Sequence, residues 1–554
     1  MGSELGISAA SKPHPSYDPV SIWWACWAGV WTAAVVAGVA YLIVHRHSPI
    51  LRIRGLGFSL GAIVFLHIYW ASLQFGTMIG PIMPGDAQYW LMGTYLPCGL
   101  ALFHASNTRF LHVAQMQKRY AHPDDPFVAP MTDSSRRDGW MGRFRRRGYT
   151  TRSLIIVGVA IALQLFLTLL MWLISRKFHR TWGIPGTEVH GTPMEQLTAM
   201  GQGWEWWSTI VGQFFWAWVV GPIVLWRARH IRDTQGWRTQ TIGCVLVSLP
   251  ATPMWLIALY VPAMEVVNKY FIPPQWICLS IIGLEIFTVF LPCWEVMRHQ
   301  TLCQETLDAI AQWEAKHRVG KEGSAMSEVT TAVDSILSGS HQSSTGSAET
   351  KSSARDSILT MGALELVLDR NPAPLQHFAA LHDFSGENVA FLTHVAAWKV
   401  PWLPPTGPTS DDPDDPLLRD AFRRALHVYV TFVSVAHAEF PINLSSQDVR
   451  KLDRVFEAPA RLVYGDHAAT DPATPFDGCT FDVPPSPTGS GEGDETLLSS
   501  APMYSGAVPA GFSASVFDDA EESIKYLVLT NTWPKFIKYR RSSTDRSSLG
   551  TDIV

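Results

Sequence analysis

The sequence predicts an all-α protein in two parts: a seven-transmembrane helix bundle, followed by a cytosolic all-helical domain. Three observations predict this class. Seven apolar segments lie before residue 300, each near the ~20 residues that cross a ~30 Å hydrocarbon core as a helix. From residue 359 onward, apolar residues recur at helical spacing. No period-two apolar run appears in that second half, so strands are not expected. Composition agrees: 47% of the 554 residues are hydrophobic and 16% charged, against about 25% charged in an average soluble chain. The formal net charge of −5 excludes a nucleic-acid binder by electrostatics, and no nucleic-acid partner is expected. The seven Cys include no C-x-x-C pair or metal-ligand spacing, which argues against a zinc module and a disulfide scaffold. No cofactor and no metal site is expected.

In chain order, a leader (1–21) precedes the bundle (22–296). The expected spans are Ile22–Val44, Leu56–Phe75, Ala87–Phe110, Ser153–Ser175, Trp206–Trp226, Thr241–Tyr260 and Trp276–Val296. Helix is required because lipid offers the backbone no hydrogen-bond partner. Pro97 interrupts the third segment, and Pro250 and Pro253 interrupt the sixth. The first apolar run is too long for a signal-peptide core and reads as a retained anchor. Lys and Arg concentrate in alternate connections: Arg46, Arg52 and Arg54; then Lys118 to Arg152; then Arg227 to Arg238. The positive-inside rule places the leader outside and everything after Val296 in the cytosol, with the plasma membrane as the expected location. The Arg-rich third connection would also be drawn to anionic lipid of the bilayer. Seven spans with this orientation is a receptor-like topology, open to a small extracellular ligand, although Asp-Arg-Tyr and Asn-Pro-x-x-Tyr are both missing. Among polar residues within spans, Glu285 and His67 are the candidate ligand or ion pocket, because a carboxyl in a span usually faces the bundle interior. The alternative is an interhelical tie, which also suits Gln164 and Gln213. Trp204, Trp206 and Trp207 read as an interfacial aromatic belt.

A juxtamembrane helix (297–319) carries Leu302, Leu307, Ile310 and Trp313 at helical spacing, either along the membrane face or extending the seventh span. Residues 320–357, rich in Ser, Thr, Gly and Glu, read as a disordered tether. The domain over 358–540 then shows successive helical stripes, with a loose insertion at 465–515 and a tail at 541–554. Ser385 is placed to cap the helix carrying Val389, Phe391, Leu392, Val395 and Trp398. Ser445-x-x-Asp448 is a capping-box variant at the next helix start. A last helix is expected over Phe517 to Ile537.

Within this second half, Leu375-x-x-Phe378, Phe384-Ser-x-Glu387-Asn388-x-x-Phe391, Ile442-Asn443-Leu444, and Phe517-Asp-Asp-Ala-x-x-x-Ile524 through Trp533-Pro-Lys-Phe536 occur in order. In that order and spacing they resemble an RGS (regulator of G-protein signalling) domain. Joined to seven spans, the chain resembles the fungal and plant seven-transmembrane RGS proteins. The resemblance implies binding to the GTP-loaded α subunit of a heterotrimeric G protein and acceleration of its GTP hydrolysis. It implies no catalytic residue of the chain's own: such a domain holds the partner's switch segments in their transition-state shape. The implied contacts are Ser385, Glu387 and Asn388; then Asn443; then Asn531, Thr532 and Lys535. Each has a plainer reading beside it: Asn388 as a helix-start polar residue, Asn443 as a turn former, Glu387 as a first-turn acid. Family members usually carry Glu at the position of Gly386, Asp at Asn531, Arg at Lys535 and Asp at Ser445. Lys does not reproduce the planar fork of Arg, so weaker or differently selective binding is expected. The alternative is a seven-transmembrane receptor or transporter whose RGS-like module only docks.

Overall fold

Long apolar runs and 3.6-residue stripes both resolve as helices in the computed structural model. It describes residues 12–121, 149–179, 181–317, 358–400, 416–438, 440–465 and 506–549, with single positions 5, 144, 330, 333 and 504. Residues 1–4 and 6–11 of the leader and most of the Arg-rich third connection lie outside the described residues. So do nearly all of the 320–357 tether, the Pro- and Asp-rich loop after Val400, most of the 465–515 insertion and the end of the tail. Among the described residues there is no strand; a lone bridge joins Ser175 to Ile184.

Six helices are long and apolar enough to cross a membrane: Pro19–Val44, Leu56–Gln74, Thr151–Ile174, Pro193–Ala228, Trp237–Tyr260 and Gln275–Gln312. The third expected span does not join this set. It forms one continuous 33-residue helix, Gly85–Gln117, running through Pro97. Length is ample, but Gln88, Thr94, His104, Ser106, Asn107 and Arg109 dilute its apolar content. The two prolines of the sixth segment have different effects. Pro250 separates Trp237–Ser248 from Ala251–Tyr260, while Pro253 sits in the first turn of the second piece, where its missing N–H costs nothing.

The chain divides into two compact units, Met1–Val113 with Ser153–Met297, and Ala114–Arg152 with Arg298–Val554. The described start of the connection after the third expected span, residues 114–121, which the sequence assigns to the bundle, therefore groups with the second unit. In the first unit, Gln275–Glu285 packs against Leu56–Gln74, Trp237–Ser248 and Ala251–Tyr260. Leu66, Tyr69, Trp70, Phe103, Trp255 and Ile281 share its core. Gly38 lets Pro19–Val44 approach closely, since a Cβ there would lie 2.6 Å from Val289 Cγ1. Outward, Val30, Ile156, Val159 and Phe166 are 55–65% exposed, as side chains facing lipid would be. Trp204 and Trp207 are exposed, as an interfacial belt requires, whereas Trp206 is buried. Its indole donates to the Met200 carbonyl and its ring meets Tyr89, so Trp206 is a core residue.

The second unit is built from Met361–Arg370, Ala373–Phe378, Gly386–Lys399, Pro416–Val428, Ser446–Tyr464, Asp518–Leu527 and Trp533–Leu549. The helix after the last span is Leu291–His317, so the juxtamembrane helix is an extension of the final apolar helix. The last helix reaches Leu549, well past the expected Ile537. One aromatic-rich core joins these helices. Phe378, Phe391, Trp398 and Phe536 are all buried in it, with Phe456 stacked on Phe517 at 5.6 Å. Ser445 caps as its spacing predicts: its Oγ accepts from the Asp448 N–H and donates to the Asp448 carboxylate.

Candidate functional site

The local geometry around Phe384 organises the second unit's polar residues. Ala379–Asp383 is a π-helical turn, which admits one residue more per turn than the α-helix. Phe384 follows at φ 51°, and among the described residues it is the non-glycine with positive φ. A left-handed residue with a Cβ costs roughly 1–2 kcal/mol. Burial of its ring and the bond from Ser385 N–H to the Ala379 carbonyl at 2.9 Å hold it there. The reversal starts Gly386–Lys399 directly beside the preceding turn. A second π-helical turn, Val528–Thr532, carries Asn531 and Thr532.

These two turns meet. Thr532 Oγ1 donates to Asp383 Oδ2 at 2.9 Å, and Ser385 Oγ donates to the same oxygen at 3.0 Å. Ser385 and Thr532 hydroxyls are 3.1 Å apart. Lys535 Nζ donates to Asp383 Oδ1 at 2.8 Å and to Asn531 Oδ1 at 2.7 Å. Ser385, Asn531, Thr532 and Lys535, separated by about 150 positions in the chain, thus form one polar cluster around a fully buried carboxylate. The Ser385 hydroxyl is spent on this cluster and makes no capping bond, contrary to the expected N-cap role. Asp383, the centre of the cluster, was not singled out from the sequence. Its signal was an acidic residue closing an otherwise apolar helical stripe.

Glu387 and Asn388 occupy the first turn of the following helix, only 9% and 6% exposed. Glu387 Oε2 accepts from Gln117 Nε2 at 2.8 Å. Asn388 N–H donates to the Ser385 carbonyl, while its side-chain Oδ1 is buried and accepts no hydrogen bond among the described residues. A buried amide oxygen left unpaired costs about 1–3 kcal/mol. Asn443 is half-buried on the segment leading to Ser445, anchored where Ile442 N–H donates to the Phe432 carbonyl at 2.8 Å.

In the first unit, His67 and Glu285 are brought together: Nδ1 lies 2.7 Å from Glu285 Oε1. The Trp31 indole donates to Oε2, and His67 Nε2 reaches Thr32 Oγ1 at 3.0 Å. Trp31 and Thr32 complete this group and were not singled out from the sequence. Both glutamines bond between helices, Gln164 with Thr209 and Gln213 with Thr252. Among the described residues no group of three or more His, Cys, Asp or Glu is placed to hold a metal ion.

No family model, curated protein or solved structure matches the chain.

Proposed function

We propose that this chain is a membrane-embedded regulator of heterotrimeric G-protein signalling, whose second unit binds GTP-loaded α subunit and accelerates its GTP hydrolysis. The observation that carries the reading is the convergence of Ser385, Thr532 and Lys535 on Asp383, with Asn531 held by Lys535, beside Asn388 with an unspent amide oxygen. An amide both donates and accepts without adding charge, which suits holding a partner's switch Gln and its water in reactive posture. In this reading the hydroxyls of Ser385 and Thr532 and the Lys535 amine are engaged with Asp383, and acceleration comes from preorganising the partner.

The membrane topology in this reading is seven spans, counting Gly85–Gln117, with the leader outside and the second unit in the cytosol of a plasma membrane. A long helix with a polar interior face is acceptable as a span when the bundle shields that face. The direct bonds of Glu285 to His67 and Trp31 support a helix tie more than an open ligand pocket.

Single-turnover GTP hydrolysis by candidate α subunits, with the full chain reconstituted in nanodiscs, tests the proposal. Acceleration that is lost in Asn443→Ala supports it. Absence of both acceleration and binding to the GDP–aluminium fluoride state, for every α subunit tried, removes it. A second reading, docking without acceleration, is favoured by the engagement of Lys535 with Asp383 and Asn531 rather than with solvent. Binding that is equal for the GTP-analogue and aluminium fluoride states would select that reading.

A further inference from the structure

The face proposed to meet the α subunit is covered by the chain itself. Ser385, Glu387, Asn388, Asn531 and Thr532 are each no more than 9% exposed. A docking surface in its open state would present these groups to solvent. Part of what covers them is the segment from Ala114 to Ala121, the last turn of Gly85–Gln117 and the 3-10 turn after it.

The fit is specific. Gln117 Oε1 accepts from the Gly386 N–H at 3.1 Å, and its Nε2 donates to Glu387 Oε2 at 2.8 Å. One side-chain amide thereby occupies the first two residues of the helix, where an orphan N–H and a carboxylate would otherwise face a partner. Gln376 Nε2 donates to the Tyr120 carbonyl and to the Gly386 carbonyl. The Tyr120 ring lies 6.0 Å from Phe440 and 6.5 Å from Phe432, so the same residue reaches the segment that carries Asn443. A second cover lies over the other turn, where the Cys303 thiol donates to the Thr530 carbonyl at 3.4 Å.

Gly386 is the position that makes the fit. A Cβ there would lie 2.8 Å from Tyr120 Cβ and 2.9 Å from Ala380 Cβ, closer than real Cβ atoms approach. Gly386 is the first residue of its helix, so the cost of a mid-helix glycine does not fall on it in full. Here it is the residue that admits the chain's own Tyr120.

We propose that the segment from Gln117 to Tyr120 is an autoinhibitory cover that must leave the Gly386–Glu387 helix start before an α subunit can bind there. This rests on the functional reading above and names the regulation of that site. The apparent affinity for the partner then equals the intrinsic affinity multiplied by the fraction of uncovered molecules.

The test uses the full chain in nanodiscs and the Gln117→Ala/Tyr120→Ala double variant, whose changes lie outside the proposed contact set. Hydrogen exchange of the peptide containing Gly386 and Glu387 reads the cover without any G protein. Exchange is expected to quicken at least tenfold in the double variant, while peptides containing Phe456 keep wild-type exchange and report that the core is intact. With GDP–aluminium fluoride α subunit, binding is expected to tighten about tenfold, with faster single-turnover hydrolysis at subsaturating chain. Unchanged exchange overturns the cover, whatever the hydrolysis result. Quickened exchange with wild-type binding and hydrolysis overturns its regulatory role but leaves the functional reading standing. Quickened exchange with no binding in either protein overturns both.

Discussion

Lys535→Met isolates the ion pair at the centre of the second unit. Asp383 is fully buried and the Lys535 side chain is 13% exposed, with Nζ 2.8 Å from Oδ1. Breaking a buried pair by removing one partner costs about 3–5 kcal/mol, because a buried charge is left uncompensated. Two features lower that figure here. The hydroxyls of Ser385 and Thr532 still donate to Asp383, and slight exposure of Lys535 gives some screening. A net loss of about 2–4 kcal/mol follows. For a unit of this size that is a fall in unfolding midpoint of about 5–15 °C. The double variant Asp383→Asn/Lys535→Met removes both charges and is expected to recover more than half of the loss. Native-state hydrogen exchange of peptides spanning Phe391 and Trp533, in the detergent-solubilised full chain, reads the second unit separately from the bundle. A loss below about 0.5 kcal/mol for Lys535→Met, or no recovery in the double variant, refutes the buried-pair argument.

Phe391→Ala, which empties a fully buried ring site among Phe432 and Phe517, should cost about 3–5 kcal/mol by the same exchange measurement. Burial lowers the pKa of His394 and of His427, whose depression is reinforced by the neighbouring His394. Both are favoured neutral when folded, so their contribution is complete above the unfolded value of about 6.5 and is lost as pH falls through the folded values. Thermal unfolding of the second unit should therefore shift downward below about pH 6.5, and less so in His394→Gln. In the first unit, Glu285→Ala leaves His67 and Trp31 without their shared acceptor and should destabilise the bundle by about 2–3 kcal/mol in thermal unfolding in detergent. Glu285→Gln retains an acceptor and should cost less.

The apolar spans, the aromatic core positions and the Ser445 cap were legible because each is encoded within a few neighbouring residues. A membrane-length run, a 3.6-residue stripe or a hydroxyl three positions before an N–H needs no distant partner to be read. At Ala87–Phe110 the same local evidence gives length without matching apolar content, so the helix there stands outside the six that are long and apolar enough to cross a membrane. Trp206 was misread for a related reason: an aromatic near a span end fits a belt or a core, and only its neighbours distinguish them.

The membrane-length apolar helices and the all-helical class came from the chain alone, since backbone hydrogen bonding and amphipathic burial are short-range in sequence. Tertiary structure alone decided that Asp383 gathers Ser385, Thr532 and Lys535, that Trp31 and Thr32 join His67 and Glu285, and that Gln117 lies on Gly386. The last pair is 269 positions apart. Such partners are chosen by how helices pack and by the left-handed turn at Phe384, which no local pattern specifies.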